Sequence, residues 1–168
     1  AIVHLEAGRL NLYRGGYDGT KFCQSYALTD KSVQQLPHEV TQGAITVQPS
    51  ADLNSPAYAA CVKRLGIDAP DSYVAQATDW ISIVALTIAK AGQANGTALR
   101  DTVRTITNSD GQTVYTAAEG LPLIKAGKTV KYSGASGPCR FTDIGDITDC
   151  KFRYNQVDNG AFKFIEVG

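Results

Sequence analysis

Hydrophobic positions in the first third of the chain alternate between helical and strand spacing. Residues 1–13 carry apolar side chains at helical intervals and stop before a glycine pair, which predicts a helix. The pattern then predicts a strand around Phe22, a short helix from Thr29 to Pro37 and a second strand over 43–47. Such alternation is typical of a parallel sheet with crossover helices, so the chain is predicted to have an α/β fold.

Helical periodicity dominates the middle of the chain. Ser55 and Pro56 predict a helix start, because serine caps free amide groups and proline fits the first turn, and Gly66 predicts the end of that helix. Residues 73–91 are apolar nearly all round, which predicts a helix buried on most sides. A helix with one apolar face is predicted over 97–106.

The last forty residues change to short strands separated by turn residues. Strands are predicted over 129–132, 139–141, 151–157 and 162–167, with turns at 143–146 and 158–160. Together they predict a terminal β-meander.

The cysteines suggest structural roles. Cys23, Cys61, Cys139 and Cys150 lack the close spacing of zinc or redox sites, so no metal site is predicted. Cys139 and Cys150 are symmetric about the 143–146 turn and would face each other on a tight hairpin. This symmetry predicts a Cys139–Cys150 disulfide, with buried free thiols as the alternative. Cys23 and Cys61 are a second candidate pair.

Charge and composition limit the classes of partner. The chain has 16 basic and 16 acidic residues and no run of either sign, which argues against nucleic acid and anionic membranes. The longest apolar stretch, 80–89, is about half of what a bilayer span needs. A soluble protein with neutral or small partners is therefore expected.

No arrangement typical of catalysis stands out. Residues 126–129 end like a phosphate-binding loop, but Pro122 occupies the place of its first glycine, so the stretch indicates a helix end at Gly127. His4 and His38 have no serine, cysteine or carboxylate at a telling spacing. The chain is predicted not to be an enzyme and to need no cofactor. A small α/β hydrolase with a cysteine or serine nucleophile beside a histidine is the remaining alternative of this class.

Four segments in a fixed order resemble a known family. They are Asn54-Ser-Pro-Ala-Tyr58, Asp71-Ser-Tyr-Val-Ala-Gln-Ala-Thr-Asp-Trp80, residues 85–92, and 132–146 with Tyr-Ser-Gly-Ala-Ser-Gly-Pro and Phe-Thr-Asp-Ile-Gly-Asp. As a series they resemble the leucine/isoleucine/valine-binding family of type I periplasmic solute-binding proteins. The resemblance covers essentially the whole chain, but only the carboxy-terminal half of a family member.

The resemblance implies part of a bilobal type I periplasmic-binding-protein fold, with a parallel sheet, helices and a C-terminal β-meander. Residues 1–49 would belong to the carboxy-terminal lobe and 50–138 to the amino-terminal lobe. Residues 139–168 would form a crossing segment and the terminal β-hairpins. The protein would be exported to the periplasm, with its signal peptide outside this chain.

The resemblance also implies a function in solute capture. The ligand, an amino acid or a related small carboxylate, would be held between two lobes and delivered to an ABC permease in the membrane. By position, Ser25 and Tyr26 correspond to the family's ammonium-binding site, and Tyr73 corresponds to an aromatic residue that lines the side-chain pocket. A ligand-sensing regulatory domain of the same fold is the alternative. We expect the chain alone to bind solute poorly or to pair with a second copy that covers exposed sheet edges.

Overall fold

The computed structural model describes residues 22–24, 28–66 and 73–168. The predicted helix over 1–13 and the predicted ligand contacts Ser25 and Tyr26 lie outside these residues. In chain order the elements are β1 (Phe22–Gln24), α1 (Asp30–Gln35), α2 (His38–Thr41), β2 (Ile45–Pro49), α3 (Pro56–Leu65), α4 (Val74–Ala91), α5 (Gly96–Thr107), β3 (Gln112–Val114), α6 (Ala117–Lys125), β4 (Val130–Tyr132), β5 (Phe152–Asp158) and β6 (Ala161–Val167).

The predicted α/β class is confirmed. β1 pairs with β2 in parallel, and β3 pairs with β4 in parallel. Two elements, α2 and β3, are absent from the prediction. Of α6 the sequence predicted only an end at Gly127, and the helix ends at Lys125 with Gly127 in a left-handed backbone conformation. The chain divides into two compact units, which we call unit 1 and unit 2. Unit 1 contains the described residues up to Gln48 together with Phe152–Gly168, and unit 2 runs from Pro49 to Lys151.

In the described part of unit 1, four strands form a sheet with the order β1-β2-β5-β6. The predicted terminal hairpin is present, because β5 and β6 pair antiparallel across a turn in which Asn159 and Gly160 both have left-handed backbones. Helix α1 starts where predicted, and the Thr29 hydroxyl accepts a hydrogen bond from the Ser32 amide at 3.2 Å. The core of this unit consists of Leu28, Val33, Ala44 and Val157.

Unit 2 packs helices against the two-stranded sheet of β3 and β4. Helix α4 contacts α5 and α6, and both of these helices also contact β4. Helix α3 has the predicted ends, because the Ser55 hydroxyl caps the Ala57 amide at 3.2 Å and Gly66 closes the helix with a φ of 66°. The main core of this unit consists of Ile83, Leu86, Ile106, Val114, Val130, Tyr132 and Cys139.

Helix α4 has the predicted position but not the predicted burial. It ends at Gly92, as expected, and Leu86 on its inner side is fully buried. The prediction of burial on most sides is wrong, because Trp80 is 68% exposed and Ile81 is 61% exposed. Helices α5 and α6 pack against one side of α4, and its other side carries an uncovered apolar stripe. None of the helices in the described ranges is long and apolar enough to cross a membrane.

The segment between β4 and β5 is a turn rather than the predicted strand at 139–141. Phe141 forms an isolated antiparallel bridge with Ile147, and the Thr148 amide donates to the Arg140 carbonyl at 2.8 Å. The predicted turn at 143–146 is therefore present. The turn is centred on residue 144, because Phe141 lies opposite Ile147. A pairing of Cys139 with Cys150 would require a turn centred between residues 144 and 145.

The predicted Cys139–Cys150 disulfide is not formed. Both thiols are free, as is that of Cys61, so the second candidate pair with Cys23 is not formed either. Continuing the observed register places Cys139 opposite Asp149, not opposite Cys150. Since a shift of one residue turns a side chain to the other face of a hairpin, Cys139 is buried while Cys150 is exposed.

Candidate functional site

Unit 1 contains a polar pocket on one face of its sheet, which we call the Arg153 pocket. The cavity measures about 340 Å³, a size that suits a small organic solute. Five of its lining residues are polar and three are apolar. They are Asp30, Thr46, Gln48, Arg153, Asn155, Leu28, Phe162 and Phe164.

Strand geometry explains why these side chains converge. Residues two apart in a strand point to the same face, so β2 contributes Thr46 and Gln48, and β6 contributes Phe162 and Phe164. Strand β5 carries Asn155 directly opposite Phe164. The register between β5 and β6 shifts at 154–155, and such irregularities redirect neighbouring side chains. The segment that leads into α1 contributes Leu28 to the lining, and the first residue of α1 contributes Asp30.

The guanidinium group of Arg153 is held in position by two neighbours. Its Nε atom donates to Asn155 Oδ1 at 3.3 Å, and its Cζ atom lies 4.9 Å from the centre of the Phe164 ring. The cation is attracted to the face of that ring, which restrains a side chain that is otherwise flexible. Within the described residues no carboxylate forms an ion pair with Arg153. The pocket therefore presents a positioned cation to a ligand.

Of the ligand contacts that the sequence predicted, Tyr73 lies within the described residues, and it does not line the Arg153 pocket. The pocket lies wholly in unit 1, whereas Tyr73 belongs to unit 2, where it precedes α4 and is 50% exposed. A role for Tyr73 in ligand binding stays a prediction, as do those of Ser25 and Tyr26. None of the lining residues of the Arg153 pocket was singled out from the sequence.

Unit 2 contains a buried polar group of a different kind, which we call the Asp79 cluster. Asp79 is 3% exposed, although it sits on the largely apolar helix α4. Its Oδ1 atom accepts from the Tyr132 hydroxyl and the Ala135 amide, both at 2.7 Å. Its Oδ2 atom accepts from the Ser136 amide at 2.7 Å and the Ser136 hydroxyl at 2.5 Å.

The Asp79 cluster is saturated by the protein itself. Five donors surround the carboxylate, because the Cys139 thiol also donates to Asp79 Oδ2 at 3.5 Å. A Cβ atom on Gly134 would lie 2.4 Å from Asp79 Cγ. Such packing leaves no space for a solute beside the carboxylate. We therefore assign the cluster a structural role, in which α4 anchors the loop that follows β4.

Burial changes the acidity of two groups in the Asp79 cluster. Burial and the neighbouring Asp79 charge raise the pKa of the Cys139 thiol to about 12, and they raise the pKa of Tyr132 well above its usual value. A nucleophilic cysteine needs the opposite shift, because the thiolate is the reactive form. Cys139 therefore lacks the properties of a catalytic thiol.

We expect thiol reagents to label Cys150 in the folded protein long before Cys139. At pH 8 a thiol with a pKa of about 12 is ionised in roughly one molecule in 10⁴, and Cys139 is also 3% exposed. Brief alkylation followed by digestion and peptide mass spectrometry measures the two labelling rates. The same treatment in guanidinium chloride should label both residues equally. A peptide in which Cys139 is linked to Cys150 would contradict this result.

The fold of the chain is similar to that of a protein of known structure. Over 99% of its length the chain superposes on the leucine-binding protein LivK of Thermotoga maritima, with a TM-score of 0.62 and 16% sequence identity. The chain spans 42% of the length of that protein. No protein-family model matches the sequence, and no curated protein matches it significantly. The superposition confirms the predicted fold, which is that of part of a periplasmic binding protein.

Proposed function

We propose that the chain is part of an extracytoplasmic solute-binding component of an ABC transporter for amino acids or related small carboxylates. The observation that carries this proposal is the likeness to a leucine-binding protein over 99% of the chain. The Arg153 pocket supports it, because a guanidinium group forms strong paired hydrogen bonds with carboxylates. The solute, the membrane permease and a periplasmic location are all parts of the proposal.

The chemistry of the pocket favours binding over catalysis. Among the described residues, its lining includes a guanidinium, two amides, a hydroxyl and a carboxylate, but no histidine, cysteine or serine. Acyl transfer needs an activated nucleophile beside a base, and this set of side chains provides neither in the usual form. A solute held here would contact groups that orient it without reacting with it.

Association with another chain is a further part of the proposal. The apolar stripe on α4 includes Trp80 and Ile81, and exposed apolar surface of this kind favours contact with a partner. We propose that the chain on its own pairs with a second copy, or otherwise binds solute only weakly.

We expect small carboxylates and amino acids with apolar side chains to stabilise the protein. A ligand at a hundredfold excess over its Kd adds about 2.7 kcal/mol to the free energy of unfolding, which corresponds to a rise of roughly 5–10 °C in Tm for a chain of this size. Thermal unfolding with L-leucine, L-phenylalanine or isocaproate measures the shift. Glucose and isoamylamine, which lack a carboxylate, are the controls. The absence of a shift with every amino acid and carboxylate would refute solute binding.

A further inference from the structure

Two asparagines of the chain are followed directly by glycine, and the structure places them in different surroundings. Asn95 precedes Gly96 at the start of α5, and Asn159 precedes Gly160 in the turn between β5 and β6. Both asparagine side chains are exposed. Glycine has no Cβ to hinder the approach to its nitrogen, so an asparagine before glycine is open to attack by that nitrogen. The surroundings of each pair then determine how readily the attack occurs.

Asn95 lies at the exposed start of a helix. Gly96 is the first residue of α5, and no acceptor in the described part of the chain pairs with its amide. The Asn95 side chain is held by exposed contacts, because Oδ1 accepts from the Ala98 amide at 2.9 Å and Nδ2 donates to Gln93 Oε1 at 3.1 Å. Helix ends fray readily, so these contacts open without disturbing the core of unit 2. Asn95 Cγ can then reach the Gly96 nitrogen.

Asn159 is restrained by the turn around it. Its backbone amide donates to Gln42 Oε1 at 2.9 Å, and its Nδ2 atom donates to Asp158 Oδ1 at 3.1 Å. A Cβ atom on Gly160 would lie 2.8 Å from His38 Nε2, so this side of the turn is also closely packed. A ring formed between Asn159 and Gly160 would distort a turn that joins two paired strands. The same pair of residues is therefore protected here.

We propose that Asn95 is a site of spontaneous deamidation in the folded protein, and that it reacts more readily than Asn159. The Gly96 nitrogen forms a bond to Asn95 Cγ and loses its proton, the Cγ–Nδ2 bond breaks, and the side-chain nitrogen leaves as ammonia. Water then opens the five-membered succinimide ring at either of its carbonyl groups, which yields aspartate or isoaspartate. The reaction consumes water and needs no enzyme. It is independent of the proposed function.

The two products differ in their effect on α5. Aspartate at position 95 keeps a side-chain oxygen for the Ala98 amide, and its negative charge is favourable at the start of a helix. Isoaspartate lengthens the backbone by a methylene group and displaces this cap. Either product lowers by one unit a formal net charge that is +0 in the asparagine form. Ion-exchange chromatography therefore separates both products from the parent protein.

The first test compares the two asparagines in one sample. The folded protein is incubated at pH 8 and 37 °C, and peptide mass spectrometry after digestion measures the converted fraction at each position. Asn95 should convert at least about tenfold faster than Asn159, because opening at a helix end is far easier than opening of the hairpin. In guanidinium chloride the two rates should agree within about threefold, since both structures are then lost.

The second test removes the attacking group. Gly96→Pro leaves this nitrogen without a proton, so Asn95 should remain unconverted. Proline suits the first position of a helix, and Asn95 has the extended backbone that proline requires of the preceding residue, with φ of −141° and ψ of 160°. Gly96→Ala, whose Cβ meets no atom within 4 Å, should fold normally and react several times more slowly. The rate at Asn159 in each variant is the internal control and should not change. Circular dichroism verifies that each variant is folded.

The outcomes either support the proposal or overturn it. Conversion of Asn95 that is fast in the folded protein and absent from Gly96→Pro supports it. Equal rates at Asn95 and Asn159 in the folded protein would mean that the structure does not select the site. Conversion of Asn95 in guanidinium chloride alone would mean that the helix start protects it. Unchanged conversion in folded Gly96→Pro would mean that the Gly96 nitrogen is not the attacking group.

Discussion

Replacement of Asp79 by asparagine should lower the free energy of unfolding by about 3–5 kcal/mol, since hydrogen bonds to charged groups contribute roughly 1.5–3 kcal/mol each. The carboxylate accepts hydrogen bonds from Tyr132, Ala135 and Ser136, and all of these groups are donors. The asparagine amide keeps one acceptor oxygen. In place of the second oxygen, its NH₂ group faces protein groups that are themselves donors. Unfolding in urea, followed by circular dichroism, measures the loss.

A matched substitution at the surface distinguishes this effect from a change in net charge. Asp101→Asn removes the same charge from α5, where the Asp101 side chain is exposed and forms an ion pair with the adjacent Arg100. This variant should unfold at nearly the same urea concentration as the unchanged protein. Equal stability of Asp79→Asn and Asp101→Asn would mean that the Asp79 cluster does not hold the loop in place.

Replacement of Gly134 by alanine should cost about 2–3 kcal/mol, the upper part of the usual range for forcing extra volume into a packed interior. The new Cβ would lie 2.4 Å from both Asp79 Cγ and Oδ2, so the loop or the carboxylate must move. Gly96→Ala is the control, because a Cβ at Gly96 meets no atom within 4 Å. That change at the start of α5 should be neutral or stabilising.

The two substitutions should not be additive. Gly134 and Asp79 are in direct contact, and coupled sites of this kind show interaction energies of about 0.5–3 kcal/mol. Adding Gly134→Ala to the Asp79→Asn variant should therefore cost less than adding it to the unchanged protein. If the two costs simply sum, or if Gly134→Ala is as stable as Gly96→Ala, the close contact does not exist in solution.

The elements that the sequence predicted correctly depend on local signals. Ser55 and Gly66 mark the ends of α3, and Asn159 with Gly160 marks the turn between β5 and β6. In each case a few adjacent residues determine the backbone, either by capping free amides or by accepting a left-handed conformation. Such positions can be recognised without knowledge of their distant neighbours.

The elements that the sequence did not predict depend on distant contacts. Helix α6 contains both Gly120 and Pro122, which individually disfavour a helix interior. Gly120 is nevertheless required, because a Cβ there would lie 2.5 Å from a methyl group of Leu86 on α4. The close approach of two helices outweighs the local propensity. No local pattern contains this information.

The candidate site was missed for a related reason. Arg153, Asn155 and Val157 occupy alternate positions of β5, so the sequence shows that they share a face. It does not show that Val157 joins a core on that face while Arg153 and Asn155 line a cavity. Asp79 did carry a signal, since an acidic residue within a largely apolar helix needs internal partners. Its partners lie in the segment 132–138, more than fifty residues further along the chain.

The anchoring of this segment by Asp79 also affects how fast its amide protons exchange with solvent. Ala135 and Ser136 lie outside any helix or strand, where protons usually exchange rapidly. Here both N–H groups are donated to a buried carboxylate, so exchange requires the loop to separate from α4. These two protons should therefore exchange as slowly as those of β4, and the loop would open together with the core of unit 2 rather than independently.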